Sequence, residues 1–344
     1  MQIRLLDASS ETRYAEYVAR RADATFFHEL GWKRAVERAF GHESWYLTAE
    51  RDREIVGILP LFQVNSLLAG RLLISVPYAT YGGVLTDDSD AAHALFSEAK
   101  SIAGRVGARS IEFRSLRAAD PSLHTESSHV TFTKALPTRP DEVLGSFPRK
   151  ARAAARRAAE RYALTTQFGP HFLPDVWRLY ARSMRRLGSP NYPRKFFEGL
   201  LASEPERCVC QLVRCGERPV AGLLTFLHRD TVMPYFAGID ERREIYGLSH
   251  YLYAESMRWG VQQGFARYDF GRSRIDNAGA YDFKRLCGFE PQPLEYQTYI
   301  APGRSAPDLA AGSPRWAMAR RMWKHLPLAV ARPLGGWLAR SIPG

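Results

Sequence analysis

Residues 268–291 read YDFGRSRIDNAGAYDFKRLCGFEP. An extended start (Tyr268, Asp269, Phe270) gives way at Gly271 to ionisable and aromatic side chains. Arg272 and Ser273 follow the strand directly. A guanidinium there can take an anionic group through two parallel N–H donors, or it can close a loop ion pair. Asp269 sits inside an apolar-aromatic strand and is either a base or a residue that orders the following turn. Tyr281 and Asp282 flank Lys284 and have the chemistry to position a substrate, although the usual fate of a lysine is solvated surface. This polar loop is the wall of a site or plain surface, and the residues alone leave both open.

The elements that must position this stretch show a weak internal duplication. Residues 46–62, YLTAERDREIVGILPLF, alternate, turn at Asp52-Arg53 and run apolar, the pattern of a β-hairpin. Residues 211–226, QLVRCGERPVAGLLTF, repeat that plan with a turn at Gly216-Glu217, and Gly57 and Gly222 fall at equivalent places. An amphipathic helix over 90–109 ends near Gly107 and leads into the strand SIEFR (110–114). A second helix over 248–264 ends at Gly264 and leads into ARYDFGR (266–272). Glycine just past a helix is the expected C-cap. Ile111-Glu112-Phe113 thus aligns with Tyr268-Asp269-Phe270. Helices over 26–40 and 194–205 precede the two hairpins. His250, on the helix before the second strand, suits a capping or half-buried role better than that of a base.

With 344 residues, 45% of them hydrophobic and 24% charged, the chain has the balance of a globular protein of about two domains. The net charge of +12 is concentrated. The stretch PRKARAAARRAAER (148–161) carries +5, residues 301–344 carry +6, and the body is nearly neutral. Two patches, rather than the whole surface, would attract an anionic partner. Cys208, Cys210, Cys215 and Cys287 lie at no metal-ligand spacing and read as reduced thiols, so no metal is expected. The N-terminus lacks an apolar signal core and no run approaches the length of a membrane span, so a cytoplasmic protein is expected. No helix-turn-helix or finger pattern is present, and DNA is not an expected partner.

That order of elements, with the strings FFHELGWKRAVERAFGHESWYLTAERD, PYATYGGVL (77–85), RRLGSPNYPRKFFEGLL (185–201) and YDFKRLCGFEPQPL (281–294), resembles the FemAB-like family of tandem GNAT-type acyltransferases, and more narrowly its exosortase/PEP-CTERM and exopolysaccharide-associated branch. The match runs over residues 1–299. It implies an α/β (α+β) fold of two tandem GNAT-like domains with mixed central sheets, 1–145 and 146–300, followed by a basic amphipathic helical tail, 301–344. It also implies transfer of an acyl or aminoacyl group onto an amine. Such a transfer needs a deprotonated amine, a stabilised oxyanion and a held donor. In a GNAT-like unit the site lies where the central strands splay, and YDFGRS is such a strand end. Phe283-Lys284 matches the family's Phe-Lys pair, which makes Lys284 the leading catalytic candidate with Asp269. Arg272, Ser273, Tyr281 and Asp282 are then substrate contacts, and Glu112 and Arg114 are their counterparts in the first half. The segment 77–85 borders the family's acceptor cleft, which nominates Tyr81 and Gly82; paired glycines also serve simple turns. Asn191, Tyr192 and Arg194 read as an exposed aromatic-polar loop in which Tyr192 would stack on a sugar or base.

No permanent cofactor is implied, and the acyl donor is a co-substrate, aminoacyl-tRNA or acyl-CoA. A Gly-rich pyrophosphate loop at a helix start, as acyl-CoA use requires, has no convincing copy; RIDNAGA (274–280) is close in composition but wrong in spacing. Arg149, Lys150, Arg152 and Arg156 gather on the 148–161 helix, where they suit tRNA phosphates or lipid headgroups. In 315–326, Trp316, Ala319, Met322, Trp323 and Leu326 share one helical face and Arg320, Arg321 and Lys324 the other. Residues 315–340 are therefore expected at an anionic membrane surface, or docked on the body of the protein itself. Three readings follow: an aminoacyl or acyl transferase acting on a cell-envelope or exopolysaccharide precursor at the cytoplasmic membrane face, an acyl-CoA-dependent N-acyltransferase of an amino sugar, and a catalytically silent peripheral adaptor.

Overall fold

The computed structural model describes residues 1–67, 69–242, 244–305 and 317–342. The chain divides into two compact units: Met1–Ser127 with Pro293–Ala317 and Trp337–Gly344, and Ser128–Gln292 with Met318–Gly336. It carries mixed α/β architecture throughout, as expected.

In the first unit, β1 (Gln2–Leu5), α1 (Glu11–Arg20), α2 (Leu30–Phe40), β2 (Glu43–Ser44), β3 (Leu47–Arg51), β4 (Glu54–Leu59), β5 (Phe62–Ser66), β6 (Gly70–Ile74), α3 (Ser89–Val106), β7 (Ser110–Phe113) and β8 (His124–Glu126) follow in order. The sheets are β1-β3-β4 and β2-β5-β6-β7-β17-β8, the latter including a late strand, β17 (Tyr296–Ile300). The β3–β4 hairpin turns at Asp52 and Arg53, both at positive φ (51° and 69°), which matches strand twist in a two-residue loop. α3 starts on the Asp88 carboxylate, which accepts from Asp90 and Ala91 N–H, and ends on Gly107 at φ +67°. Its apolar face (Leu95, Phe96, Ile102) packs with Leu59, Leu73, Ile111 and Phe113 into one core.

The second unit comprises β9 (His129–Ala135), α4 (Arg149–Tyr162), β10 (Leu164–Phe168), α5 (Leu173–Leu187), α6 (Arg194–Ser203), β11 (Cys208–Cys215), β12 (Arg218–His228), β13 (Thr231–Ile239), α7 (Leu248–Gln262), β14 (Arg267–Asp269), β15 (Ser273–Arg274), α8 (Ala278–Leu286), β16 (Glu290–Pro293), α9 (Ala317–Trp323) and α10 (Leu328–Leu338). Its sheet runs β10-β11-β12-β13-β14-β9-β15, with β16 on β9. Gly222 of β12 faces Gly238 of β13 across the ladder. A side chain at Gly238 would overlap the backbone of Leu179 and Tyr180, so this glycine pair lets α5 lie directly on the sheet.

Three features depart from the sequence reading. The unit border falls at 127/128 rather than 145/146, because β9 pairs antiparallel with β14 and β15. Residues 293–300 belong with the first unit, where β17 pairs β7. The polar stretch after Arg274 is a helix, α8, rather than a loop. The Asn277 side chain accepts from Ala280 N–H at its start, and Tyr281 and Phe283 pack on the second unit's core.

Candidate active site

The parallel pair β13–β14 holds together for only two positions, Thr231↔Arg267 and Val232↔Tyr268, and then parts. At the parting end the Asp269 carboxylate, buried, accepts from Gly271 N–H at 2.8 Å and from the Thr131 hydroxyl at 3.4 Å. Gly271 sits at φ +66°, which swings the chain out of the strand. The turn presents two carbonyls to one cation: Lys284 Nζ donates to Gly271 O at 2.9 Å and to Arg272 O at 2.8 Å. The Phe132 and Phe270 rings lie 5.3 and 5.6 Å from Nζ. Lys284 is 9% exposed. Burial lowers its pKa to about 7, opposed by the charge of Asp269 and reinforced by that of Arg272. An ammonium has three donors. Two are spent on these carbonyls, and the third has no oxygen acceptor among the described residues.

Around this centre, Ser273 is buried opposite Val130 in β9, and its hydroxyl has no partner among the described residues. Tyr281 stands edge-on to Phe132, and Arg272 is half-buried. Lys284, Asp269, Arg272, Ser273 and Tyr281 are thus brought together. Asp282 points outward, 3.9 Å from exposed Arg285. His250 packs against Phe283, and burial lowers its pKa. The sequence reading missed Phe132 and Thr131. They come from β9, more than a hundred residues upstream, and no local pattern ties them to the 268–291 stretch.

The first unit holds a cavity of about 650 Å³ lined by His28, Tyr81, Gly82, Gly83, Ser115 and Arg117, among others. His28 Nε2 meets Gly83 O at 3.1 Å, and burial pushes the imidazole pKa down to about 4. A Cβ at Gly83 would overlap the buried Ser115 hydroxyl. Glu112 and Arg114 serve as framework beside it. Arg114, 2% exposed, donates to Glu112 at 2.6 Å, to Ala79 O at 3.0 Å and to Val76 O at 3.3 Å, and so pins the 77–85 loop.

The remaining candidates lie elsewhere in the second unit. Asn191 is buried and donates to Arg332 O, whereas the sequence pattern read this loop as exposed. Tyr192 packs its ring among Tyr180, Phe196 and Phe236, while its carbonyl accepts from Trp177 Nε1. Arg149, Lys150 and Arg156 are exposed and Arg152 half-buried on α4, whose Ala151, Ala154, Ala155 and Ala158 face inward.

The family described as an acetyltransferase (GNAT) domain matches residues 145–285, a span that ends one residue past Lys284. A crystal structure of FemX is similar over 87% of this chain and 97% of its own, with a TM-score of 0.65 and 15% identity. The chain has the FemAB-like tandem GNAT fold. The structure of L-PGS from Bacillus licheniformis is also similar (TM-score 0.57, 13% identity, 99% of this chain and 98% of that one). So is a tandem GNAT protein from the clavulanic acid biosynthesis pathway (TM-score 0.56, 12% identity, 89% and 99%). No curated protein matches. By its GNAT domain the protein is an acyltransferase.

Proposed function

We propose that the protein transfers an aminoacyl group from aminoacyl-tRNA to an amine of a cell-envelope or exopolysaccharide precursor. The observation that carries this reading is Lys284: a cation seated on two backbone carbonyls at the strand end, with one N–H left to donate. In the reaction the acceptor amine attacks the ester carbonyl carbon. The C–N bond forms and the carbonyl oxygen becomes an oxyanion, which takes the spare N–H of Lys284. The ester C–O bond then breaks, and the proton lost by the amine ends on the departing ribose oxygen. Asp269 holds Gly271 N–H and so fixes the turn whose carbonyls hold Lys284. Arg272 and Ser273 line the donor side of this strand end.

An aminoacyl-tRNA donor is favoured over acyl-CoA by the start of α7. A helix N-terminus after the central strands is where a pyrophosphate would sit. Here a Cβ on Gly247, the residue before α7, would overlap the Ala154 backbone of α4, so α4 covers that end. The outer face of α4 carries Arg149, Lys150, Arg152 and Arg156, none with an ion pair among the described residues, and suits tRNA phosphates.

The test is donor binding by filter retention, with charged tRNA, uncharged tRNA and acyl-CoA titrated separately. Saturable, salt-sensitive retention that prefers charged tRNA is expected, with label passing to an amine acceptor for wild type and not for Lys284→Ala. Saturable acyl-CoA binding without retention of charged tRNA would overturn the donor assignment. Equal transfer by Lys284→Ala would overturn the site.

A further inference from the structure

No described helix is long and apolar enough to cross a membrane. The C-terminal helices have a different character. Residues 317–342 contain Arg320, Arg321, Lys324, Arg332 and Arg340 and not one carboxylate. α10 is fixed in orientation by its small residues. Ala331 and Gly335 are buried, and a Cβ at Gly335 would lie 2.5 Å from Asn191 Oδ1. The Asn191 amide also donates to Arg332 O at 3.2 Å. With that face committed, Val330, Pro333, Leu334 and Trp337 fall at i, i+3, i+4 and i+7 on the opposite side as one apolar stripe. Val330 is 46% exposed, Leu334 37% and Trp337 49%. Exposed Arg340 lies over the Trp337 ring at 5.7 Å, and Arg321 of α9 and Lys324 in the turn after it are exposed.

Among the described residues the first tail helix, α9, covers Ala317–Trp323; its Trp323 is buried, as in the body-docked alternative, and Arg185 donates to the Lys324 and Leu326 carbonyls that follow it. Trp316 and Arg315 lie outside the described residues. Met318 and Met322 of α9 are exposed as well, beside the outward stripe of α10 in sequence.

We infer that α10 docks the protein on the surface of an anionic lipid bilayer, lying in the headgroup plane with Val330, Leu334 and Trp337 at the acyl boundary and Arg321, Lys324 and Arg340 among the phosphates. An apolar stripe with a tryptophan, flanked by cations, is the composition of an interfacial helix. Charge selects among occupants. A second copy of this acid-free patch would repel the first. A nucleic acid would satisfy the cations and leave the stripe in water. Only an anionic surface with an apolar interior takes both.

This inference stands apart from the transfer chemistry, and its test reads binding alone. The full chain is sedimented with vesicles of phosphatidylcholine, or of phosphatidylcholine and phosphatidylglycerol in equal parts. Wild type is expected to pellet with the anionic vesicles. Leu334→Glu and Trp337→Ser should each lower partitioning about ten-fold. The double reversal Arg321→Glu/Lys324→Glu should lower it at least 25-fold or so, on the order of five-fold per cation lost. Melting curves verify that the variants fold. The inference is overturned if wild type stays in the supernatant, or if the α10 variants pellet like wild type. It is also overturned if Arg149→Glu/Arg156→Glu removes binding while Leu334→Glu does not, which would assign the lipid contact to α4.

Discussion

The two units place a cation at the end of the strand that follows the long helix, and they use it differently. In the first unit Arg114 directly follows β7, and the parallel strands there stay clasped: Ser75 N–H donates to Glu112 O at 2.9 Å, and Arg114 N–H to the Ser75 hydroxyl at 2.9 Å. The Arg114 side chain takes two carbonyls, Val76 O and Ala79 O, together with the carboxylate of Glu112. In the second unit the strands part, and the cation arrives from α8 as Lys284. It also takes two carbonyls, but among the described residues it has no carboxylate within ion-pairing distance. One half spends its cation on holding a loop. The other keeps an N–H in hand in a buried setting where its charge is costly. The same scaffold gives a strut where the cation is fully matched and, under the proposed function, a reactive centre where it is not.

The largest expected effect is at the unmatched cation. Lys284→Met should reduce transfer by roughly 100- to 1000-fold, the range for loss of one oxyanion donor, without loss of the fold. A preserved turnover would erase the contrast. Arg114→Met tests the other side. It strands Glu112 and two carbonyls, and should destabilise the first unit by about 3 kcal/mol, read as a fall in denaturation midpoint. A variant that melts like wild type would mean that Arg114 is no strut.

The proton equilibrium of Lys284 sharpens the comparison. Its pKa is lowered from the ordinary 10.5 to about 7 by burial. Catalysis through the ammonium should therefore decline as pH rises through about 7, in a single-group profile of kcat. For stability the sign is opposite. Between about 7 and 10.5 the unfolded chain binds a proton that the folded chain does not, so the Lys284 contribution grows more favourable as pH rises through that window and is at its worst below it. Lys284→Met should then be more stable than wild type below pH 7, and the gap should close toward pH 10.5. Parallel stability curves for the two proteins would refute the buried, depressed lysine.

Much of this was legible in the sequence, and the rest was not, for physical reasons. Hairpins and capped helices are local. Asp52-Arg53, Gly107 and the alanine-backed charges of α4 announce themselves within a few residues of the structures they make. In the candidate cluster, Lys284 is nominated by the Phe283-Lys284 match to the family's pair, and Asp269, Arg272 and Ser273 by the strand end that the resemblance implies. What escaped is non-local. β9 supplies Phe132 and Thr131 from far upstream, and β17 returns to β7 after a complete second unit. α8 hid because its short, polar sequence has only Tyr281 and Phe283 to mark the packed side, and the third inward residue is a lysine. The tail was half legible. Trp323 is buried, as the body-docked alternative had it, but Ala331 and Gly335, which are buried too, are small residues that carry no periodic signal.

The smallest effect is the most discriminating, because it asks whether the first unit can be given the second unit's character. Arg114→Lys keeps a positive charge but replaces a planar fork by a point donor that cannot reach Glu112, Val76 O and Ala79 O with the same geometry. The loss should be about 1.5–2 kcal/mol, one charged hydrogen bond. The new ammonium would be a buried lysine among carbonyls, like Lys284, but with Glu112 beside it. An adjacent carboxylate favours the charged form, so the substituted lysine should titrate well above Lys284 and add little pH dependence at neutrality. Combining Arg114→Lys with Glu112→Gln removes that support. Only this double variant should acquire a second rise of stability with pH, on top of the one that every variant retaining Lys284 shows. If the single variant already shows the second rise, the carboxylate is not what separates the Arg114 strut from the Lys284 setting, and the clasped strand ends must be doing so instead.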